Sequence, residues 1–274
     1  VGFVLGDISN PLLAKMVLGA EAELRRHGYS LLLMNSQTDP QLDVHSVGFF
    51  QTRRVDAMLL SIVDETHEPL LRALASVPVP MVLVDREIDA DIEVSVVTAD
   101  HAGGMRDAVS HLIELGHRNI ALVGGSRRTM PARERELGLR GAVEASTDPV
   151  EADVLDGPFT PEHGAEATAE LLERSDPPTA IACGSNQVLV GCLSVLNARG
   201  ITVGRDISLV TCDDVAASEV YRPAIASISR DTLGMGRRAA EVLLRQMREG
   251  GPVERVILPT AFTPRASCAP PRQA

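Results

Sequence analysis

The sequence predicts an α/β protein of two lobes, each built from repeated βα units. Three observations predict it. Short β-rich runs alternate with amphipathic stretches of ten or more residues. Several apolar runs end on small or polar residues, as loops at the carboxyl edge of a parallel sheet do. At 274 residues the chain is also longer than one ordinary core requires. An apolar content of 45% supplies those cores, and no apolar run approaches the roughly 18 residues of a membrane span.

The elements follow in order. A strand over 1–5 leads to a helix over 11–27, started by Asn10 as N-cap with Pro11 at its first position and stopped by Gly28. Leu13, Met16, Val17, Ala20 and Leu24 give that helix an apolar stripe. Strands over 30–34, 57–61 and 80–84 alternate with helices over 40–53 and 68–75, which completes about four βα units. A strand over 94–98 leads to Asp100. A second series runs through helices over 101–115, 131–145, 161–174 and 187–198 and strands over 119–123, 153–155, 179–183 and 207–212. A strand over 225–229, a long helix over 231–248 and short strands over 256–258 and 261–265 close the chain. If these late elements return to both lobes, the chain crosses between lobes near 100, 230 and 259. The lobes are then 1–100 with 230–258, and 101–229 with 259–274.

A formal charge of -11 opposes a broad nucleic-acid face, because phosphate binding needs clustered Lys and Arg. Residues 1–100 alone hold 7 basic and 15 acidic side chains, a net of -8. Cys183, Cys192, Cys212 and Cys268 show no CxxC spacing, and the first three lie in strand or helix runs where a small apolar residue serves. A reduced, cytoplasmic setting is the default reading. The seven His residues form no HExxH or HxH pair, so no metal site is legible. The chain opens at Val1 directly in a strand, which predicts a preceding segment: a secretory signal, a DNA-binding headpiece or a cloning boundary.

The run Asp206–Asp214 ends on two adjacent carboxylates, Asp213 and Asp214. At a strand's carboxyl edge these point to a polar ligand site, although Asp is also a favoured helix cap. Gly124, Gly125 and Ser126 follow a strand but complete neither GxGxxG nor GxxxxGK, so they read as a tight turn and imply no nucleotide cofactor. Arg133 and Arg135 are predicted in the first turn of a helix, where a cation is unfavourable unless it serves a ligand or a partner charge. Asp85 and Arg86, adjacent on a strand end, face opposite sides or form an internal pair. Ser126 lacks the GxSxG flanks, so no nucleophile is identified and an enzyme is not predicted.

Six segments together resemble the effector-binding core of the lactose-repressor (LacI/GalR) family of bacterial transcription regulators. They are DISNP (7–11), VDR (84–86), ELGHRNIALVGG (114–125), RELGLRGA (135–142), GRDISLVTCDD (204–214) and PRAS (264–267). The resemblance covers nearly the whole chain. It implies the two-lobed periplasmic-binding-protein type I architecture, a cytoplasmic homodimer, and operator DNA held only by a helix-turn-helix headpiece that this chain does not contain. It also implies a small, sugar-like effector contacted by Leu13, Asp85, Arg135, Phe159, Ser185 and Asp213. Arg135 is expected to donate to, and Asp213 to accept from, adjacent hydroxyls, with Phe159 as a flat apolar wall. Leu13 stands where some relatives place an aromatic stacking residue, and Ser185 where Asn is frequent. A secreted solute-binding protein of a sugar transporter shares this fold and is the alternative, which the buried, unpaired Cys183 and Cys212 disfavour.

Overall fold

A computed structural model describes residues 1–272. The chain divides into two compact units: unit 1 is Val1–Ala99, Arg128–Met130 and Asp231–Leu258, and unit 2 is Asp100–Arg127, Pro131–Arg230 and Pro259–Ala274.

Unit 1 contains β1 (Gly2–Leu5), α1 (Pro11–Arg26), β2 (Leu32–Asn35), α2 (Pro40–Thr52), β3 (Met58–Ser61), α3 (Glu68–Ala75), β4 (Met81–Val84) and β5 (Ser95–Ala99). Unit 2 then holds α4 (His101–Glu114), β6 (Asn119–Val123), α5 (Met130–Glu144, its first residue ending the short unit 1 segment Arg128–Met130), β7 (Glu151–Leu155), α6 (Pro161–Leu172), β8 (Ala180–Cys183), α7 (Asn186–Ala198), β9 (Ser208–Cys212), α8 (Ala216–Val220) and β10 (Ala226–Arg230). The chain returns to unit 1 for α9 (Thr232–Glu249) and β11 (Arg255–Leu258), and ends in unit 2 with β12 (Thr260–Thr263).

The six strands of unit 1 lie in the order β11-β5-β4-β3-β1-β2, and every neighbouring pair is parallel. A parallel sheet is covered on both faces, which explains why β1, β3 and β4 are buried throughout. Alternate residues feed opposite cores. Phe3, Leu59 and Val82 pack with Met16, Ala20 and Leu24 of α1 and Met235 and Leu243 of α9. Val4, Leu60 and Leu83 pack with Val47 and Phe50 of α2 and Leu70 and Leu74 of α3. Each such side chain contributes on the order of 1.5–3 kcal/mol by leaving water. Helices α1 and α9 approach so closely that a Cβ at Gly236 would lie 1.9 Å from the Met16 carbonyl oxygen.

Unit 2 repeats the plan in the order β12-β10-β9-β8-β6-β7. Its first five chain-order strands are parallel, and β12 runs antiparallel to β10. Leu122, Ala182 and Val210 face α4 and α5, where Met105, Leu112 and Leu139 complete one core. Val123, Ile181 and Leu209 face α6 and α7 and pack with Leu171, Val188 and Leu196.

Local chemistry starts the helices where the sequence places them. Asn10, Asp39 and Thr160 each accept from a backbone N–H of the first turn, and a proline follows each. The structure adds α8, a helix of 5 residues that no periodicity announces. It also starts α5 at Met130, one residue before the proline, so Arg135 is the sixth helical residue. The first-turn placement of Arg135 is thereby corrected, and the helix-end argument no longer bears on it.

Candidate functional site

In unit 2 the connections leave β6 in one direction, to β7, and in the other through β8, β9 and β10. The strand order therefore reverses between β6 and β8, and open α/β sheets place ligands at the carboxyl ends flanking such a reversal. Val123 and Cys183 end those two strands, and Gly184 N–H donates to the Val123 carbonyl at 2.8 Å. A side chain at 184 would stand 2.9 Å from that oxygen, so glycine is what lets the two loops meet.

Arg135 of α5 reaches this junction. It is 4% exposed, and one terminal nitrogen donates to the Gly184 carbonyl at 2.7 Å. Its guanidinium carbon lies 5.5 Å from the centre of the Phe159 ring, a cation–π approach. The ring is seated over Gly125, where a Cβ would fall 2.0 Å from Cζ. Gly125 thus makes room for an aromatic wall.

From Arg135 a buried polar chain runs to Asp213. The other terminal nitrogen of Arg135 lies 3.3 Å from His101 Nδ1, and His101 Nε2 lies 3.3 Å from a terminal nitrogen of Arg230. Arg230 Nε in turn stands 2.8 Å from Asp213 Oδ1. His101 opens α4 and Arg230 closes β10, so the cluster joins α4, α5, β9 and β10 at one sheet edge. The Cys212 thiol sits beside these charges, and burial pushes its pKa up to about 11. It is a packing group, not a nucleophile.

Asp213 takes φ +75, a left-handed conformation that Asp tolerates better than most residues. Its N–H donates to the Ile228 carbonyl at 2.8 Å. Asp85 of unit 1 repeats the device after β4, with φ +57 and an N–H donating to the Val97 carbonyl at 2.8 Å. Asp85 is buried beside the Thr98 hydroxyl, and Leu13 sits half-buried in the first turn of α1 against the unit 1 core. The structure therefore brings Arg135, Phe159 and Asp213 together within unit 2. It places Leu13 and Asp85 in unit 1.

Ser185 is the N-cap of α7, its hydroxyl accepting from Val188 N–H at 3.2 Å. Asp214 does not join the cluster. Both its oxygens accept from Arg265, at 3.0 and 2.9 Å, which holds its carboxyl below the usual carboxylate range. Arg127 pairs with Glu136 and Asp156, Arg128 with Asp64, and Arg86 donates to the carbonyls of Ile62 and Asp85. Among the described residues no group of His, Cys, Asp and Glu is placed to hold a metal ion, and no helix is long and apolar enough to cross a membrane.

Sequence reasoning missed His101 and Arg230. The signal for Arg230 was present: it ends β10 beside Asp231, as Asp213 follows the end of β9 beside Asp214.

Residues 109–268 match a periplasmic binding protein-like domain. The transcriptional repressor PurR of Haemophilus influenzae (strain PittEE) is 32% identical over 250 residues, which span 90% of this chain and 73% of that protein. The chain belongs to the LacI/GalR family. Among solved structures, this LacI/GalR core resembles a LacI transcriptional regulator from a Rhodococcus species, at TM-score 0.86 and 28% identity over 98% of both chains. It is also similar to the regulator CelR in its cellobiose complex, at TM-score 0.88 and 30% identity over 97% of this chain and 83% of that one. The periplasmic-binding-protein architecture follows, and the LacI/GalR core is the ligand-sensing part of a DNA-binding transcriptional regulator.

Proposed function

We propose that the cluster around Arg135 and Asp213 is the effector site of this regulator and that its guest is a small polyhydroxylated molecule of the sugar class. The observation that carries the reading is the convergence of a buried guanidinium, an aromatic face and a buried carboxylate at the strand-order reversal of unit 2. Forked donors and a carboxylate acceptor suit adjacent hydroxyls, and Phe159 suits the apolar face of a sugar ring. The likeness to the CelR–cellobiose complex supports the same class. In unit 1, Leu13 and Asp85 carry that unit's share of effector recognition, and Ser185 contributes through the loop it caps.

The protein works as a cytoplasmic homodimer without catalytic turnover, holding operator DNA through a headpiece. Its effector shifts operator affinity to the extent that it binds the operator-competent state and the alternative state differently. The test is a gel-shift titration of the full-length regulator on its operator across a panel of sugars. One panel member is expected to change operator affinity, and Arg135→Ala and Asp213→Ala are expected to abolish that response. Unchanged response in both variants rejects the site, and turnover of a bound ligand rejects the non-enzymatic role.

A further inference from the structure

We propose that Cys183 and Cys192 of unit 2 are an oxidisable dithiol: a small neutral hydroperoxide converts them to an intrachain disulfide, and closing that bond moves Gly184, the residue next in the chain.

Cys183 is the last residue of β8, and Cys192 lies within α7. Both are fully buried in the core that β8 shares with α6 and α7, and their thiols are hydrogen-bonded to each other. A small apolar residue would fill either position as well, but only two thiols in contact can form a bond. The helices meet here with no slack. A Cβ at Gly191 would lie 1.9 Å from the Pro161 carbonyl oxygen, and one at Gly164 would lie 2.3 Å from that of Val188. The crossing of α6 and α7 therefore fixes Cys192 against the end of β8. Cys212 stands apart, in the core on the other face of the sheet.

Cys192 is the nucleophile of the pair. Hydrogen bonds to Cys183 and Thr168 hold its thiol below the ordinary range in spite of burial, whereas burial pushes the Cys183 thiol up. The Cys192 thiolate attacks one peroxide oxygen, the O–O bond breaks, and the departing hydroxide takes up the proton that Cys192 released. The Cys183 sulfur then attacks the sulfenic sulfur, the S–S bond forms, the S–O bond breaks, and hydroxide leaves with the Cys183 proton as water. Two thiols are thus oxidised by two electrons, and one hydrogen peroxide is reduced to two waters. Burial excludes bulky and charged oxidants, which leaves a small neutral peroxide entering through local openings of the fold.

A covalent bond holds two sulfurs closer than a hydrogen bond does. Cys183 carries Gly184 with it, whose N–H donates to the Val123 carbonyl and whose own carbonyl accepts from Arg135. Oxidation therefore reaches Arg135 through the backbone. The modification needs only the core of unit 2 and stands whether or not Arg135 meets the effector.

Both cysteines fall in the tryptic peptide 175–199, so mass spectrometry of the digested full-length regulator tests this directly. After treatment with hydrogen peroxide and alkylation in denaturant, the peptide is expected to carry no alkyl group and to be lighter than the dithiol by two hydrogen atoms. Dithiothreitol is expected to restore both alkylation sites. Cys183→Ala and Cys192→Ala are expected to lose the product and Cys212→Ala to keep it, with melting curves confirming that the variants fold. Hydrogen exchange at Gly184 and Ser185 is expected to quicken in the oxidised protein. Two alkylated cysteines in the peroxide-treated wild type, or a sulfinic or sulfonic acid in place of the bond, overturn the proposal without reference to any variant. A disulfide that leaves exchange at Gly184 unchanged overturns the link to Arg135.

Discussion

Arg230, the last residue of β10, and Asp213, the residue that follows its parallel neighbour β9, form an ion pair at 2.8 Å with side chains only 9% and 5% exposed. A pair so enclosed has given up hydration on both partners, and its value depends on neither being removed alone. Deleting the Asp213 carboxylate leaves a buried guanidinium. Asp213→Ala is therefore expected to cost roughly 3 kcal/mol in urea denaturation. The double variant Asp213→Ala with Arg230→Ala is expected to be more stable than the sum of the singles. Strict additivity would show that the two groups do not act as a pair.

Gly125 supports Phe159 by having no side chain. With a Cβ at 125 falling 2.0 Å from Cζ of the ring, Gly125→Ala must displace Phe159 from beneath the Arg135 guanidinium. Overpacking of this kind costs about 1–3 kcal/mol. Weaker effector binding is expected with it, and Phe159→Leu in the Gly125→Ala background is expected to recover stability but not affinity. Calorimetry on the two variants and the wild type separates these. An unchanged melting temperature in Gly125→Ala would mean that the ring yields freely.

Much of this architecture could be read from local chemistry, because its helices announce their own starts. Asn10–Pro11, Asp39–Pro40 and Thr160–Pro161 each pair a cap with a first-turn proline, and the helix begins at that point in the structure. The helix over 68–75 and the strand over 119–123 have the observed bounds. What local pattern does not carry is which strand ends converge. His101 and Arg230 lie 129 positions apart, and their meeting is decided by the packing of α4 on β10. Asp213 stood out because a second carboxylate follows it, yet Asp214 belongs to Arg265, a partner 51 residues on. Arg135 was found through a resemblance more than through its helix position, which proved to be the second turn.

His117 makes stability depend on pH. Its ring is buried, with Nε2 at 3.0 Å from the Ala269 carbonyl and Nδ1 at 2.7 Å from the Thr179 hydroxyl. A carbonyl only accepts, so Nε2 carries the proton and Nδ1 accepts. Burial, with Arg118 and His111 adding repulsion, lowers its pKa from 6.5. A folded value below the unfolded one means that the unfolded chain binds the proton more tightly. Stability from this group is full above pH 6.5 and is lost as the pH falls through the folded value. The melting temperature is expected to drop between pH 7 and pH 5 (roughly the range in which imidazoles titrate), and His117→Gln is expected to flatten that slope. An identical slope in the variant would assign the effect elsewhere.

Asp43 has the opposite sign. It is fully buried on α2 at 0% exposure, and one oxygen accepts from Val63 N–H at 2.8 Å. Burial raises its pKa above 3.8, outweighing the Val63 and Ser36 hydrogen bonds and the attraction of Arg86. The folded state therefore prefers the protonated acid, and this preference stabilises the fold below pH 3.8 and is lost as the pH rises through the folded value. At neutral pH the wild type bears the cost of a buried carboxylate. Asp43→Asn keeps an oxygen for Val63 N–H and removes the charge, so it is expected to raise stability at pH 7.5, where the buried carboxylate is disfavoured. The gain should shrink at pH 4.5 (roughly one unit or less from the ordinary carboxyl value). Urea midpoints at the two pH values decide it: a loss of stability at pH 7.5 would mean that the ionised carboxylate is held by interactions stronger than the desolvation they offset.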